Sequence, residues 1–161
     1  MPMKIGSQMP SLEGATEWFN ATGARAAEEA KGRPVLVHFW AVSCEVCKEN
    51  LPRVARWRDV HAAAGLRVIA VHLPLGEADA DTEKVRDAVT EYGLAEPCAV
   101  DNERKLRDAF QIEEGDLPAY CLFDAEGKLR CFAAGGRGFQ KVESFLEELL
   151  PKAGRAAEQP A

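Results

Sequence analysis

Two stretches of the chain are apolar without polar alternation, the pattern of strands that are buried on both faces. Residues 35–40 read Val-Leu-Val-His-Phe-Trp, and residues 66–73 read Leu-Arg-Val-Ile-Ala-Val-His-Leu. Such β-branched and aromatic runs are typical of central strands in a parallel sheet. Between the two runs, apolar residues recur at helical spacing at Leu51, Val54, Trp57 and Val60. The order strand, helix, strand predicts a right-handed crossover unit with residues 35–40 at the centre of the sheet.

The later part of the chain adds elements on both sides of this unit. Residues 81–92 have an amphipathic helical pattern and residues 97–100 form a short apolar run, so a helix is predicted between the second and third strands. Residues 119–123 and 128–133 flank a turn at 124–127, which predicts an antiparallel hairpin. Further helices are predicted at residues 24–30, 103–110 and 139–150. The pattern therefore predicts an α/β protein whose central mixed sheet is flanked by helices.

Length and composition fit one folded domain. The chain has 161 residues, of which 47% are hydrophobic and 29% are charged, both ordinary for a globular protein. We expect a single domain over residues 1–150, because one core accounts for a chain of this length. Residues 151–161 are polar and contain alanine and proline, so we expect a flexible tail there.

Net charge and cysteine content limit the kinds of partner and the cellular compartment that we expect. The net charge of -6 argues against binding to nucleic acid. No apolar run approaches the roughly 20 residues that cross a membrane, and the first ten residues lack a signal-peptide core. The five cysteines form an odd set that is too sparse for a disulfide-stapled secreted scaffold. We therefore expect a cytoplasmic protein without a membrane or nucleic-acid partner.

One cysteine pair lies where a buried strand meets the start of a helix. Cys44 and Cys47 are separated by Glu45 and Val46, and Ser43 is the predicted N-cap of the helix. The unpaired amide groups of a helix N-terminus favour a thiolate and lower its pKa from about 8.5. Two intervening residues bring the second sulfur back beside the first. We therefore predict that Cys44 attacks a disulfide and that Cys47 resolves the mixed disulfide.

Two other interpretations of the pair remain open. A Cys-x-x-Cys pair can be half of a structural zinc site, although Cys98, Cys121 and Cys131 show no matching ligand spacing. Two buried, inert cysteines are also possible, because free cysteine often behaves as a small hydrophobic residue. We expect no metal and no cofactor, and we expect the three remaining cysteines to be buried free thiols.

The chain resembles the TlpA/ResA-like thiol-disulfide oxidoreductases of the thioredoxin fold. The resemblance is carried by residues 39–52, Phe-Trp-Ala-Val-Ser-Cys-Glu-Val-Cys-Lys-Glu-Asn-Leu-Pro, and extends over about residues 33–150. Within this family the chain is most similar to the signal-less cytoplasmic members described from bacilli. The resemblance implies a thioredoxin-like fold with an inserted helix between the second and third core strands.

The resemblance also implies which residues meet the substrate. Pro118 is expected to be the cis proline that faces the disulfide, which leaves the backbone of Leu117 free to pair with a substrate strand; a trans proline at the start of an edge strand is the alternative. We further expect Trp40, Glu45 and Val46 to contact the substrate, although a core role alone explains Trp40 equally well.

Three positions depart from the family pattern. Ser43 replaces the tryptophan that most relatives carry before the first cysteine, and Asn50 stands where the cytochrome-maturation members carry a functional glutamate. His38 falls where ordinary thioredoxins place a buried aspartate beneath the second cysteine. A neutral imidazole there is a candidate proton acceptor for Cys47, and a packed core histidine is an equal alternative.

The leading hypothesis is a dithiol-disulfide oxidoreductase that reduces protein disulfides. The family suggests thioredoxin and thioredoxin reductase as the electron donor. We expect a reducing couple because the Glu45 carboxylate beside Cys44 opposes the field of the helix terminus. A peroxidase of the same fold and a non-catalytic binding module are the alternatives. Against the first, peroxiredoxins carry a threonine three residues before the reacting cysteine, where this chain has Ala41.

Overall fold

The structure is a computed structural model that describes residues 2–150. The strands are β1 (Glu17–Phe19), β2 (Val35–Trp40), β3 (Arg67–His72), β4 (Cys98–Val100), β5 (Ala119–Phe123) and β6 (Leu129–Ala134). The α-helices are α1 (Gly23–Ala30), α2 (Glu45–His61), α3 (Thr82–Glu91), α4 (Lys105–Ala109) and α5 (Gly138–Leu149). The expected tail at residues 151–161 lies outside the described residues.

The strands form one mixed sheet with the order β1-β4-β3-β2-β5-β6. Strand β3 is parallel to both β2 and β4, whereas the pairs β1–β4, β2–β5 and β5–β6 are antiparallel. All six residues of β2 are buried, as the lack of polar alternation predicts. Helix α3 lies between β3 and β4 along the chain. The predicted α/β class, the mixed sheet and the inserted helix are therefore confirmed.

The side chains on the two faces of β2 pack in different hydrophobic clusters. Val35, Val37 and Phe39 belong to one cluster, which also contains Phe110 and Phe123. On the other face, Leu36 packs with residues of α2 and α5, and Trp40 packs with Cys47 and further residues of α2 and α3. Helix α2 therefore covers the face that carries His38, as the alternation of side chains along a strand predicts.

One local expectation was wrong, and one strand was not predicted. The N-cap of α2 is Cys44 and not Ser43, because the Ser43 hydroxyl donates instead to Asp79. The edge strand β1 was not predicted, since three residues carry too little periodicity to identify a strand.

The hairpin itself forms as predicted. Cys121 pairs with Phe132, and Cys131 pairs with Leu122. The two sulfurs consequently belong to different core clusters and remain free thiols. None of the helices in residues 2–150 has the length and hydrophobicity of a membrane span.

Candidate active site

The Cys44 and Cys47 side chains form a disulfide at the start of α2. Their Cα atoms are 5.2 Å apart, within the ordinary range for a disulfide. The Sγ atom of Cys44 accepts a hydrogen bond of 3.2 Å from the Cys47 backbone N–H, so this sulfur caps the helix. A thiolate at Cys44 therefore lies in the positive field of the helix terminus, which favours the charged form.

The two cysteines differ in their access to solvent. Cys44 is partly exposed, whereas Cys47 is 1% exposed and packs with Trp40 and Leu51. A bulky disulfide can therefore approach Cys44 but cannot reach Cys47 without prior movement. This asymmetry is what a chemistry with one attacking and one resolving sulfur requires.

Glu45 exerts a weaker electrostatic effect on Cys44 than the sequence suggests. Its side chain is 78% exposed, and its Oε1 lies 2.9 Å from Lys48 Nζ. The hydrogen bond to Glu45 raises the pKa of Lys48, so the ammonium is retained beside the carboxylate. Because its charge is exposed and paired, Glu45 is a poor source of the field that we expected it to exert on Cys44.

The turn that leads into β5 and the loop after β6 border the start of α2, and together with it they form the face beside Cys44. The peptide bond between Leu117 and Pro118 is cis, as expected; Pro118 is buried and Leu117 is half-buried against the cluster that contains Cys47. The loop after β6 is held to this turn because Gly135 N–H donates to Pro118 O at 2.9 Å. Val46 is 41% exposed and borders the next residue of that loop, Gly136.

Trp40 does not lie on this face. Its side chain has no exposed area, and its ring packs edge-on against His72 with centroids 5.0 Å apart. The expected direct contact with substrate is therefore wrong for this arrangement, because other side chains cover the indole completely. Trp40 instead packs in the core cluster beneath Cys47.

His38 is buried and makes a polar contact that the sequence did not indicate. Its Nε2 lies 2.8 Å from Glu96 Oε2, and the other carboxylate oxygen accepts from Arg58 Nη1 at 2.8 Å. Burial alone raises the pKa of Glu96, but hydrogen bonds from His38 and Arg58 outweigh it and hold that pKa below its ordinary value. The ionised carboxylate only accepts hydrogen bonds, so Nε2 of His38 carries a proton.

Two further polar side chains, His72 and Asp79, accept hydrogen bonds from the turn that leads into Cys44. The Val42 backbone N–H donates to His72 Nε2 at 3.0 Å, and the Ser43 hydroxyl donates to Asp79 Oδ2 at 2.6 Å. Burial lowers the pKa of His72 to about 4, so the imidazole is neutral at pH 7 and Nε2 can accept. Neither side chain was predicted as a site residue, because each lies far along the chain from its partner.

The remaining cysteines lie apart from the disulfide chemistry. Cys98, Cys121 and Cys131 are buried free thiols, and burial raises the pKa of both Cys98 and Cys121 to about 12. Thiols of such high pKa are poor nucleophiles at neutral pH. Among residues 2–150, no group of three or more His, Cys, Asp or Glu side chains is arranged to hold a metal ion.

Comparison with characterised proteins identifies relatives along most of the chain. Thiol-disulfide oxidoreductase YkuV from Bacillus subtilis (strain 168) is 40% identical over 149 residues, which cover 92% of this chain and 97% of that protein. Thiol-disulfide oxidoreductase ResA from Bacillus anthracis is 27% identical over 124 residues, which cover 77% of this chain and 68% of that protein.

Solved structures show the same fold. A thioredoxin-like protein determined in solution in its oxidised form superposes with a TM-score of 0.82 at 37% identity, covering 93% of this chain and 99% of that one. The crystal structure of StoA from Bacillus subtilis has a TM-score of 0.61 at 22% identity, covers 73% of this chain and 84% of that one, and supports the fold alone.

The family assignment rests on a match that extends over most of the described residues. Residues 5–132 match the model of the AhpC/TSA family. Together with the relatives named above, this match confirms the resemblance found in the sequence. The chain therefore belongs to the AhpC/TSA family, as a ResA-like member with the thioredoxin-like fold.

Proposed function

We propose that this protein is a thiol-disulfide oxidoreductase that reduces disulfides in other proteins. The observation that carries the proposal is the asymmetry of the pair: Cys44 caps α2 and is accessible, whereas Cys47 is 1% exposed. The chain is also similar to named thiol-disulfide oxidoreductases along most of its length, and this similarity supports the same activity.

The reaction proceeds in two exchanges. The Cys44 thiolate attacks one sulfur of the substrate disulfide, forms a mixed disulfide and releases the first substrate thiolate. Cys47 then loses its proton and attacks Cys44 Sγ, which forms the internal disulfide and releases the second substrate thiol. The substrate gains two electrons, and the dithiol is oxidised to the disulfide that the structure contains.

Substrate binding is assigned to the face beside Cys44. Val46 and Leu117 offer apolar surface near the disulfide. The cis bond at Pro118 supports a role for the Leu117 backbone in pairing with an extended substrate segment. Glu45 is exposed at the same helix start, where its carboxylate, paired with Lys48, lies within reach of polar groups of a substrate. His38 is assigned to proton transfer at Cys47, a role supported by its place on the β2 face that α2 covers.

We place the protein in the cytoplasm, with thioredoxin and thioredoxin reductase as its source of electrons. Three free thiols accompany one disulfide in residues 2–150, which fits a reducing compartment. A dithiol donor of the thioredoxin type can regenerate the Cys44/Cys47 dithiol by the same exchange chemistry.

A peroxidase of the same fold is the competing function, and a non-catalytic binding module is another. Ala41 stands where peroxiredoxins carry a threonine, so we expect little consumption of hydroperoxide. The presence of both cysteines in one disulfide favours catalysis over simple binding.

The test compares the reduced wild type with Cys44→Ser and Cys47→Ser on a disulfide-containing polypeptide. We expect Cys44→Ser to lose activity and Cys47→Ser to accumulate a mixed disulfide through Cys44, seen as a mass adduct. Hydroperoxide in place of the polypeptide serves as the control substrate. Rapid turnover of hydroperoxide without disulfide reduction would establish the peroxidase instead.

A further inference from the structure

A buried carboxylate outside the Cys-x-x-Cys motif is hydrogen-bonded to the residue that precedes the attacking cysteine. Asp79 belongs to a short 3-10 segment, Glu77–Ala80, and is 4% exposed. Its Oδ2 accepts from the Ser43 hydroxyl at 2.6 Å and from the Leu75 backbone N–H at 2.9 Å. Ser43 immediately precedes Cys44, so the carboxylate is tied to the residue beside the reacting sulfur.

These contacts fix the position of the Asp79 carboxylate without neutralising its charge. Both donors, a hydroxyl and a backbone amide, are neutral groups. His72 also lies close enough to feel the Asp79 charge, but its pKa of about 4 keeps it neutral at pH 7. Asp79 therefore differs from Glu45, whose exposed carboxylate is paired with Lys48.

We propose that Asp79 is a positioning residue for Cys44: it holds the turn before the nucleophile through Ser43, and its negative charge keeps the Cys44 thiol from becoming strongly acidic. This proposal rests on the proposed function, because it assigns the attack to Cys44. It replaces Glu45 as the group that opposes the field of the helix terminus.

The direction of the effect follows from electrostatics. The start of α2 stabilises a thiolate at Cys44, and a nearby buried negative charge destabilises it. Burial reduces solvent screening, so Asp79 acts more strongly than an exposed carboxylate at a similar distance. A less stable thiolate means a less stable reduced form, and the disulfide is then harder to reduce.

Other charged groups near Cys44 have smaller or cancelling effects. Glu45 and Lys48 on α2 form an ion pair in which the carboxylate is exposed and the Lys48 side chain is partly buried. Tyr92, which follows α3, contacts the Lys48 ammonium at 5.9 Å from its ring centroid. From β3, His72 contributes no charge at pH 7. Asp79 is therefore the buried charge whose removal we expect to change the pKa of Cys44.

The geometry allows the charge to be removed alone. Both hydrogen bonds reach one oxygen, Oδ2, so an asparagine whose carbonyl oxygen takes that place keeps both of them. Asp79→Asn therefore removes the charge and retains the contacts. Glu77→Gln is the matched control, because it removes an exposed carboxylate from the same short segment.

The experiment measures the pH dependence of Cys44 alkylation in the reduced protein, with the modified site identified by mass spectrometry. We expect Asp79→Asn to lower the pKa of Cys44 by about 0.5 to 1 unit and Glu77→Gln to leave it in place. The equilibrium constant for reduction by glutathione should rise about threefold, which is about 14 mV. An unchanged pKa in Asp79→Asn, or an equal fall in Glu77→Gln, would overturn the proposal.

Ser43→Ala gives a second measurement that does not depend on the stability of Asp79→Asn. This variant removes one hydrogen bond from the carboxylate and keeps the charge, so the pKa of Cys44 should stay at the wild-type value or rise. A fall in Ser43→Ala would contradict the assignment. Failure of the proposed function is separate, because it would appear as a wild type that does not reduce disulfides, whatever the alkylation profiles show.

Discussion

His38 and Glu96 meet across the sheet in a buried hydrogen bond of 2.8 Å. Glu96 lies just before β4, which is not a neighbour of β2. Strand β3 lies between the two and places Ala70 between His38 and Cys98 in the ladder. The small side chain of Ala70 leaves room over β3 for Glu96 to reach the imidazole. Arg58 then links the carboxylate to the partly exposed surface of α2.

This contact changes how the role of His38 is tested. The carboxylate holds the imidazole with its proton on Nε2, so a neutral His38 can accept a proton only at Nδ1. If His38 accepts the proton of Cys47, Glu96 fixes the tautomer that does so. His38→Phe should leave the first attack by Cys44 unchanged and slow release of the substrate by about 100-fold, the lower end of what a positioned base contributes.

Glu96→Gln is the matched variant, because glutamine keeps the size of the side chain and removes its charge. We expect a smaller slowing of release and a shifted pH profile for that step alone. Stopped-flow kinetics separates the two steps. Release at the wild-type rate in His38→Phe would assign His38 to the core, and equal slowing of both steps would indicate general structural damage.

A second prediction concerns stability in acid. The pKa of His72 falls from 6.5 to about 4 on burial, so the unfolded chain binds a proton that the folded protein does not bind between these values. The contribution of His72 to the free energy of unfolding is complete above pH 6.5 and is lost as the pH falls toward 4. At 1.36 kcal/mol per unit, the loss in free energy of unfolding approaches about 3 kcal/mol.

Urea denaturation of the wild type and of His72→Gln between pH 7.5 and pH 4 measures this loss. The glutamine amide oxygen can still accept from the Val42 backbone N–H but does not titrate. The variant should therefore show the shallower dependence on pH. Parallel curves for the two proteins would show that another group controls acid unfolding.

A third prediction concerns the loop beside Val46. A Cβ atom added at Gly136 would lie 2.9 Å from Cγ1 of Val46, so one of the two must move. Gly136→Ala should raise the KM for a polypeptide disulfide several-fold with little change in kcat, since it disturbs the docking face and not the sulfurs. Gly76→Ala is the control, because a Cβ at Gly76 has no heavy atom within 4 Å. A fall in kcat with unchanged KM would remove Val46 and Gly136 from substrate binding.

The sequence predicted what depends on local pattern. Residues 35–40 were recognisable as a central strand because all six are buried, and the Cys44/Cys47 pair was recognisable because helix geometry brings residues three apart together. The polar groups behind the site were not predictable in this way. Glu96 is 58 residues from His38, and Asp79 is 36 residues from Ser43, so only the folded sheet brings each pair together.

The differences between expectation and structure have more than one origin. Ser43 is a good N-cap by residue type, but Asp79 captures its hydroxyl and the Cys44 sulfur takes the capping position. Trp40 was expected at the substrate because it lies near the motif, yet alternation along β2 directs it under α2, where it is fully buried. The field expected from Glu45 is weakened by a local contact instead, because Lys48, three residues later in α2, pairs with the carboxylate.

The most direct test of the account is the reduction potential of the Cys44/Cys47 couple, measured by equilibration with glutathione. A protein-disulfide reductase with an uncompensated carboxylate near its nucleophile should have a potential nearer about -270 mV than about -120 mV. The fraction of internal disulfide is read by alkylation and mass at each ratio of reduced to oxidised glutathione. A potential near the first value supports disulfide reduction, and a potential above about -180 mV would contradict it and indicate an oxidant.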